Sequence, residues 1–133
     1  MQFDMNERER EGVKIIDVDG RLVLGGPASE LRDRIKAVQD AGIRQLVLNL
    51  EYCDYIDSTG LGTLVMTATS MQKADGSMKL LRLNKRNLEL MVITKLTTIF
   101  EIFNDETDAV NSFFPDRKIN RFDILSFVKD QKS

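Results

Sequence analysis

The stretch Tyr55-Ile56-Asp57-Ser58-Thr59-Gly60-Leu61-Gly62 separates two hydrophobic patterns of different period. Before it, the apolar run at 46–50 has the near-continuous character of a buried strand. After it, apolar residues recur at helical spacing, at Leu61, Leu64, Val65, Ala68 and Met71. A change of period across so short a join predicts a strand followed directly by a helix.

The join itself carries residues suited to a helix N-terminus. Asp57 and Ser58 are short polar residues of the kind that accept a hydrogen bond from a free N–H of the first turn. Gly60 and Gly62 allow a tight turn and the close approach of a partner. Because the first helical turn also favours an anion, a hydroxyl there could carry a phosphate of about −1.5 to −2 charge. From the spacing alone a plain capping pair is favoured over a phosphorylation site, because Asp-Ser caps are common.

The order of motifs along the chain resembles the STAS domain family, named after sulfate transporters and anti-sigma-factor antagonists. The most specific motif is Asp-Ser-Thr-Gly-Leu-Gly at 57–62, which follows a Val-Leu-Asn-Leu strand and an aromatic-containing loop. Supporting motifs are the strand entry at 76–80, Thr-Lys-Leu at 94–96 and Ile-Phe-Glu-Ile-Phe at 99–103. The resemblance extends from about residue 13 to about residue 113, which is most of the chain.

The resemblance implies an α/β fold, a STAS-like mixed β-sheet of about five strands with about four α-helices packed on it. The residue pattern predicts strands at 3–6, 13–18, 21–24, 46–50, 78–83 and 98–103, with 46–50 at the sheet centre. Helices are predicted from Pro27 to Gly42, from Ser58 to about Lys73, over 84–96, and from a cap at Asn104 or Asp105 to Phe113. The charged residues at 30–36 are interpreted as one solvated helix face.

Two further predictions concern connections and boundaries. Asp19-Gly20 predicts a hairpin that pairs 13–18 with 21–24, and the charged segment 7–12 is predicted to be a turn. We expect one STAS domain at 1–113 and a C-terminal extension, or tail, at 114–133.

The resemblance also implies a function. In the bacterial antagonists of this family, a serine at the start of the helix after the central strand is phosphorylated, and the matching residue is Ser58, with Thr59 as a weaker candidate. The implied kinase is the partner protein itself, an anti-sigma factor with serine kinase activity. The unphosphorylated antagonist binds it and frees the sigma factor, and a PP2C-type phosphatase resets the switch. The partner-binding residues implied by this resemblance are Tyr55, Asp57, Ser58, Thr59, Gly60, Leu61, Gly62, Gly25 and Gly26.

Three segments depart from the family pattern: the loop at 21–26, and the charged stretch at 7–11 and the C-terminal tail, which are both additional. The better-known antagonists tend to have Glu-hydrophobic-Asp before the first helix, whereas residues 21–26 read Arg-Leu-Val-Leu-Gly-Gly. We expect the loop at 21–26 to border the same partner surface.

Two other functions are weighed beside the antagonist. The chain could be a non-phosphorylated STAS interaction subunit of another assembly, such as a lipid-transport complex or a stressosome-like scaffold, in which Ser58 only caps the helix. It could also be an enzyme or nucleotide-binding protein, but the turn at Gly60-Leu61-Gly62 lacks a lysine and a metal-binding pattern.

Composition excludes several classes of function. The chain of 133 residues is the size of one domain, and a net charge of −2 gives no electrostatic case for nucleic acid or an anionic membrane. With no histidine and one cysteine, Cys53, the common nucleophilic triads and zinc sites are excluded, so no catalytic residue, metal or cofactor is predicted. A lone cysteine, no apolar run of membrane length and no signal peptide predict a cytoplasmic protein without membrane insertion.

A few aromatic and apolar side chains stay open to more than one interpretation. Met66 and Met71 could form part of an adaptable binding surface, but core filling is the commoner use of Met at helical spacing and is the one predicted. Tyr52 and Tyr55 could either stack on a partner or cover the sheet end. In the tail, Ile119, Phe122, Leu125 and Val128 recur at helical spacing, with Phe127 adjacent. The tail could pack back on the domain, form a homodimer or bind a partner.

Overall fold

The mixed sheet has the strand order β1-β2-β3-β4-β5 in the computed structural model, which describes residues 2–120 and 122–125. The strands are β1 (Asp4–Arg10), β2 (Val13–Leu22), β3 (Gln45–Ile56), β4 (Ser77–Leu81) and β5 (Ile102–Phe103). The helices are α1 (Gly26–Asp40), α2 (Ser58–Lys73), α3 (Lys85–Ile93) and α4 (Glu106–Asn111). β1 pairs antiparallel with β2, and every later pairing is parallel. The five strands and four helices of the described residues confirm the predicted fold class.

The central strand β3 divides two hydrophobic clusters, because successive side chains of a strand point to opposite faces. Leu46, Leu48 and Leu50 lie in the larger cluster, together with buried residues of α1, α2 and α3. Val47 lies in the smaller cluster, which α4 covers with Ala109 and Val110. Helices on both faces therefore bury β3, as its apolar sequence predicts.

The predicted hairpin at Asp19-Gly20 is wrong. β2 runs continuously from Val13 to Leu22, and the chain reverses earlier, at Glu11 and Gly12, which have φ values of 54° and 84°. Gly20 has φ 110° at an irregularity in the pairing of β2 with β3. An Asp-Gly pair favours positive φ, which serves a bulge as well as a turn, so the dipeptide alone does not separate the two. The predicted turn at 7–12 accordingly belongs mostly to β1.

Several element ends in the second half also differ from prediction. α3 is capped by Asn84 but ends at Ile93, because Lys95 adopts a left-handed φ of 63° before a short 3₁₀ turn. β5 spans only two residues instead of 98–103. Asp105, rather than Asn104, caps α4, which ends at Asn111. These are boundary errors that leave the order of elements unchanged.

The described part of the tail packs back on the domain. Residues 115–118 are exposed, Ile119 then packs against the smaller cluster, and Phe122 and Ile124 pack against the larger one. Leu125 is 68% exposed, and the predicted Phe127 and Val128 lie outside the described residues.

Candidate functional site

The carboxylate of Asp57 joins the start of α2 to the loop between β2 and α1. One oxygen accepts the Gly60 N–H at 2.8 Å and the other accepts the Leu24 N–H at 3.0 Å. These two hydrogen bonds, and the one from Gly60 more than the one from Leu24, hold the pKa of Asp57 below its usual range. Asp57 is therefore the predicted N-cap, and it also fixes the neighbouring loop.

Gly60 makes a close approach of strand to helix possible. A Cβ at this position would lie 2.1 Å from the carbonyl oxygen of Leu22, which also accepts the Asp57 N–H at 3.2 Å. A Cβ on Gly62 would meet nothing within 4 Å. The two glycines of the motif thus have different structural roles, a close contact at Gly60 and an open surface at Gly62.

Ser58 is the first residue of α2, and its side chain is exposed. The first turn of α2 carries no acidic side chain, and the N-terminus of a helix favours negative charge. A phosphate on Ser58 would therefore be tolerated by the fold itself. Thr59 is half-buried and its carbonyl accepts the Thr63 hydroxyl at 2.9 Å, so Ser58 is the more accessible of the two hydroxyls.

The loop before α1 lies on the same surface. Leu24, which bonds to Asp57, is 73% exposed, and Gly25 and Gly26 are also exposed. Gly25 has φ 100°, a conformation that favours glycine. The structure thus brings the predicted Gly25 and Gly26 next to the motif of α2, and it adds Leu24, which the sequence analysis did not include among the partner-binding residues.

Tyr55 is half-buried between two arginines at the end of the sheet. The guanidinium of Arg86 lies 3.8 Å from the ring centroid, and that of Arg21 lies 4.6 Å from it. Arg86 also donates to the Ile56 carbonyl at 3.1 Å. Tyr52, by contrast, is 59% exposed and takes no part in this stack.

The sequence analysis did not identify Arg86 as part of this surface. The one indication available was topological, since the start of α3 must lie at the same sheet edge as the start of α2 when both follow parallel strands.

Two other kinds of chemistry concern the described residues, metal ligation and reaction of the cysteine thiol. Within residues 2–120 and 122–125, no group of three or more His, Cys, Asp or Glu side chains could hold a metal ion. Burial raises the pKa of the Cys53 thiol, so the thiol stays protonated at neutral pH. Across the same residues, each helix is too short or too polar to cross a bilayer.

Comparison with known proteins identifies relatives of this chain. The model of the STAS domain matches residues 4–109. The anti-sigma-B factor antagonist of Bacillus subtilis (strain 168) is 31% identical over 103 residues, which cover 77% of this chain and 92% of that protein.

Two solved structures share the fold. An anti-sigma factor antagonist from Mycobacterium paratuberculosis has a TM-score of 0.73 at 21% identity, covering 84% of this chain and 93% of that chain. The Bacillus cell fate determinant SpoIIAA in its phosphorylated form has a TM-score of 0.64 at 17% identity, covering 84% of this chain and 99% of that chain.

Proposed function

Since the chain belongs to the STAS domain family, we propose that it is an anti-sigma-factor antagonist switched by phosphorylation of Ser58. The observation that carries this proposal is the exposed Ser58 hydroxyl on the first residue of α2, directly after the Asp57 cap. The partner is an anti-sigma factor with serine kinase activity, a PP2C-type phosphatase reverses the modification, and the exchange takes place in the cytoplasm.

The electrostatics of the surface support a switch at this position. Asp57 already places a carboxylate beside Ser58, and both of its oxygens accept backbone N–H groups. A phosphate on Ser58 would add charge that the helix N-terminus tolerates but that a closely packed partner would have to desolvate. Leaving such a charge unpaired in an interface costs about 2–5 kcal/mol, which is enough to release the partner.

The surface that the partner would cover combines the predicted residues with one addition. It comprises Tyr55, Asp57, Ser58, Thr59, Leu61, Gly62, Gly25, Gly26 and Leu24, with the predicted Gly60 buried beneath them. Leu24 offers an exposed apolar side chain whose backbone is held by Asp57. We propose that Leu24 anchors the unphosphorylated complex, because buried apolar anchors dominate the energy of many interfaces.

The division of the chain belongs to the proposal as well. Residues 1–113 form the switching domain and 114–133 form an extension. Whether the extension forms a homodimer is tested by measuring the oligomeric state of the chain with and without 126–133.

The experiment compares Ser58→Ala and Ser58→Asp in the full chain. Each variant, immobilised as bait, is exposed to an extract of the native cells, and the retained kinase is identified and its Kd measured. We expect Ser58→Ala to bind the kinase and Ser58→Asp to lose it. Peptide mapping of the untreated protein from the same cells should find phosphate on Ser58.

A matched control separates charge from position. Ser77 is an exposed serine at the start of β4, at the opposite end of the parallel strands. Ser77→Asp adds the same charge there and should leave binding unchanged. Equal kinase binding by Ser58→Ala and Ser58→Asp, with Ser58 unmodified in cells, would overturn the switch and favour a non-phosphorylated interaction subunit.

A further inference from the structure

The charges of α1 are divided between its two edges, although the sequence analysis interpreted them as a single solvated face. Glu30 and Asp33 lie on the edge that faces β1, where they line a cavity together with Arg34, which pairs with Glu7 of β1 at 2.9 Å. Arg32 and Lys36 lie on the other edge, which faces α2. The edge of α1 next to α2 is therefore basic, and the edge next to β1 carries both acidic residues together with Arg34, whose charge is paired with Glu7.

A groove of about 280 Å³ lies between the basic edge of α1 and α2. Its floor is formed by Ile35 and Thr67, both buried. The Thr67 hydroxyl donates to the Thr63 carbonyl at 2.8 Å, so the side chain presents no free polar group to the groove. The paired side chains of Gln39 and Ser70, 3.0 Å apart, close one end.

Met66 forms the wall of this groove on the α2 side. It is 58% exposed, so the prediction that it fills the core is wrong, whereas the same prediction holds for the buried Met71. A methionine in such a position is an adaptable apolar contact, since its unbranched side chain can adjust to different shapes.

The two cations on the rim are only weakly engaged. Lys36 pairs with Asp40 at 3.2 Å, but both side chains are exposed, and such pairs contribute little. Arg32 donates to the Ser29 hydroxyl at 3.2 Å, and no carboxylate lies among the described residues that line the groove. An apolar floor under two available cations is complementary to an apolar side chain flanked by carboxylates.

The groove is continuous with the surface around Ser58. Ser58, Gly62 and Met66 are four residues apart on one exposed stripe of α2. From Ser58 to Met66 the stripe rises about 12 Å along the helix axis. The bond between Leu24 and Asp57 holds the starts of α1 and α2 side by side, so one partner of ordinary interface size can reach both places.

We propose that the anti-sigma kinase that recognises Ser58 also inserts an acidic segment into this groove, with an apolar side chain on Met66 and Ile35 and carboxylates on Arg32 and Lys36. The proposal rests on the proposed function for the identity of the partner. It adds a second contact that phosphorylation does not touch, and this contact selects the kinase by its charge.

The experiment measures the Kd of the kinase captured with the Ser58→Ala bait against further full-chain variants carrying that same substitution. Arg32→Gln with Lys36→Gln should weaken binding about tenfold and flatten the dependence of Kd on salt, because two ion pairs are lost. Met66→Glu should weaken binding at least as much, since it places a like charge against the acidic segment.

Two controls match the variants in charge and location. Lys73→Gln removes a cation from the last turn of α2, outside the groove, and Glu30→Gln with Asp33→Asn removes the two carboxylates from the opposite edge of α1. Both should bind within about twofold of the parent, as charges outside an interface do. All these positions are exposed, and thermal unfolding of each variant checks that the fold is retained.

The outcomes separate this proposal from the proposed function. Groove variants that bind the kinase like the controls, while Ser58→Asp still abolishes binding, would overturn the acidic contact and leave the switch standing. If the groove variants bind the kinase weakly but Ser58→Asp binds it as well as Ser58→Ala does, the switch is overturned. Variants that change only the oligomeric state of the chain would assign the groove to a second copy and overturn the proposal.

Discussion

The sheet face under α4 and the surface around Ser58 handle their charged side chains differently. Under α4, Arg8 bonds Asp17 at 2.8 Å and Glu106 at 3.0 Å, and Arg10 reaches Glu106 at 3.1 Å. Asn49 donates to the same Asp17 carboxylate at 2.9 Å, which links β1, β2, β3 and α4 in one network. Around Ser58, the carboxylate of Asp57 is bound by backbone N–H groups, and the groove cations Arg32 and Lys36 make only exposed local contacts, with Ser29 and Asp40.

This difference separates the parts of the molecule that hold it together from the part that is proposed to exchange partners. Charges that satisfy one another fix α4 on the sheet. Charges left accessible are available to a partner and can be outweighed by one added phosphate. The following experiments test that separation.

The largest expected effect on stability comes from Gly60→Ala. The new Cβ would overlap the Leu22 carbonyl, so strand and helix must separate, at a cost of roughly 2–3 kcal/mol in the free energy of unfolding. Gly62→Ala, two residues on, meets nothing and should stabilise α2 by about 0.5–1 kcal/mol. Urea unfolding of both variants measures the difference, and an equal effect of the two would contradict the close contact.

Arg8→Met should have the next largest effect, about 1 kcal/mol. Arg8 is more than one-third exposed, so solvent screening reduces the contribution of its two ion pairs. The matched control is Lys36→Met, which removes an exposed pair within one helix and should cost only about 0.3 kcal/mol. Guanidinium unfolding at neutral pH should rank the two, and an inert Arg8→Met would mean that the network is not stabilising.

Acid should weaken the same network. Arg8 lowers the pKa of both Asp17 and Glu106 in the folded state. The stabilisation that the two ionised carboxylates contribute is present above their unfolded-state pKa values of about 4. It is lost as the pH falls through their lower folded-state pKa values. We expect the free energy of unfolding to decline below about pH 4, and Arg8→Met to flatten this decline. If Arg8→Met lost stability in acid as steeply as the parent, the assignment of this decline to the Arg8 network would be contradicted.

Removing a helix cap should affect stability about equally in either region, but binding in only one. Asp57→Ala and Asp105→Ala each remove a side chain that caps a helix, at a cost of about 1 kcal/mol. Because Asp57 also holds the Leu24 loop, Asp57→Ala should additionally weaken capture of the kinase. Loss of binding by Asp105→Ala to the same degree would show that stability, not the loop, controls it.

The smallest effect on stability is expected from Ser58→Asp. The side chain is exposed at a helix N-terminus, so an added charge should change the free energy of unfolding by less than about 0.5 kcal/mol. A switch requires this insensitivity, because phosphorylation must alter binding without unfolding the domain. A marked fall in the unfolding midpoint for Ser58→Asp would show that the charge acts on the fold.

The elements around the proposed switch were predictable because several local preferences coincide there. The Asp57 cap, the start of α2 at Ser58 and its end at Lys73 follow from capping chemistry and a sustained helical period, and the structure confirms them. The roles of Ser58 and its neighbours in partner binding remain predictions. The hairpin at Asp19-Gly20 failed because the same dipeptide suits a bulge.

Other features depend on contacts that no local pattern encodes. Arg86 reaches Tyr55 only because α3 and α2 begin at the same edge of the sheet. The division of α1 into a basic and an acidic edge depends on which neighbour each edge faces, and a helical wheel cannot supply that. Met66 was assigned to the core by its spacing, yet the groove beside it leaves it exposed.

The glycines of this surface have a practical consequence for spectroscopy. Four of the eight glycines in the chain belong to this region: Gly25, Gly26 and Gly62 are exposed on the proposed partner surface, and Gly60 is buried directly beneath it. Glycine amides occupy their own region of a proton–nitrogen NMR spectrum, and that of Gly60 donates to the charged carboxylate of Asp57, the residue directly before Ser58. A single isotope-labelled sample would therefore report phosphorylation, partner release and dephosphorylation as they occur, without a fluorophore or an antibody.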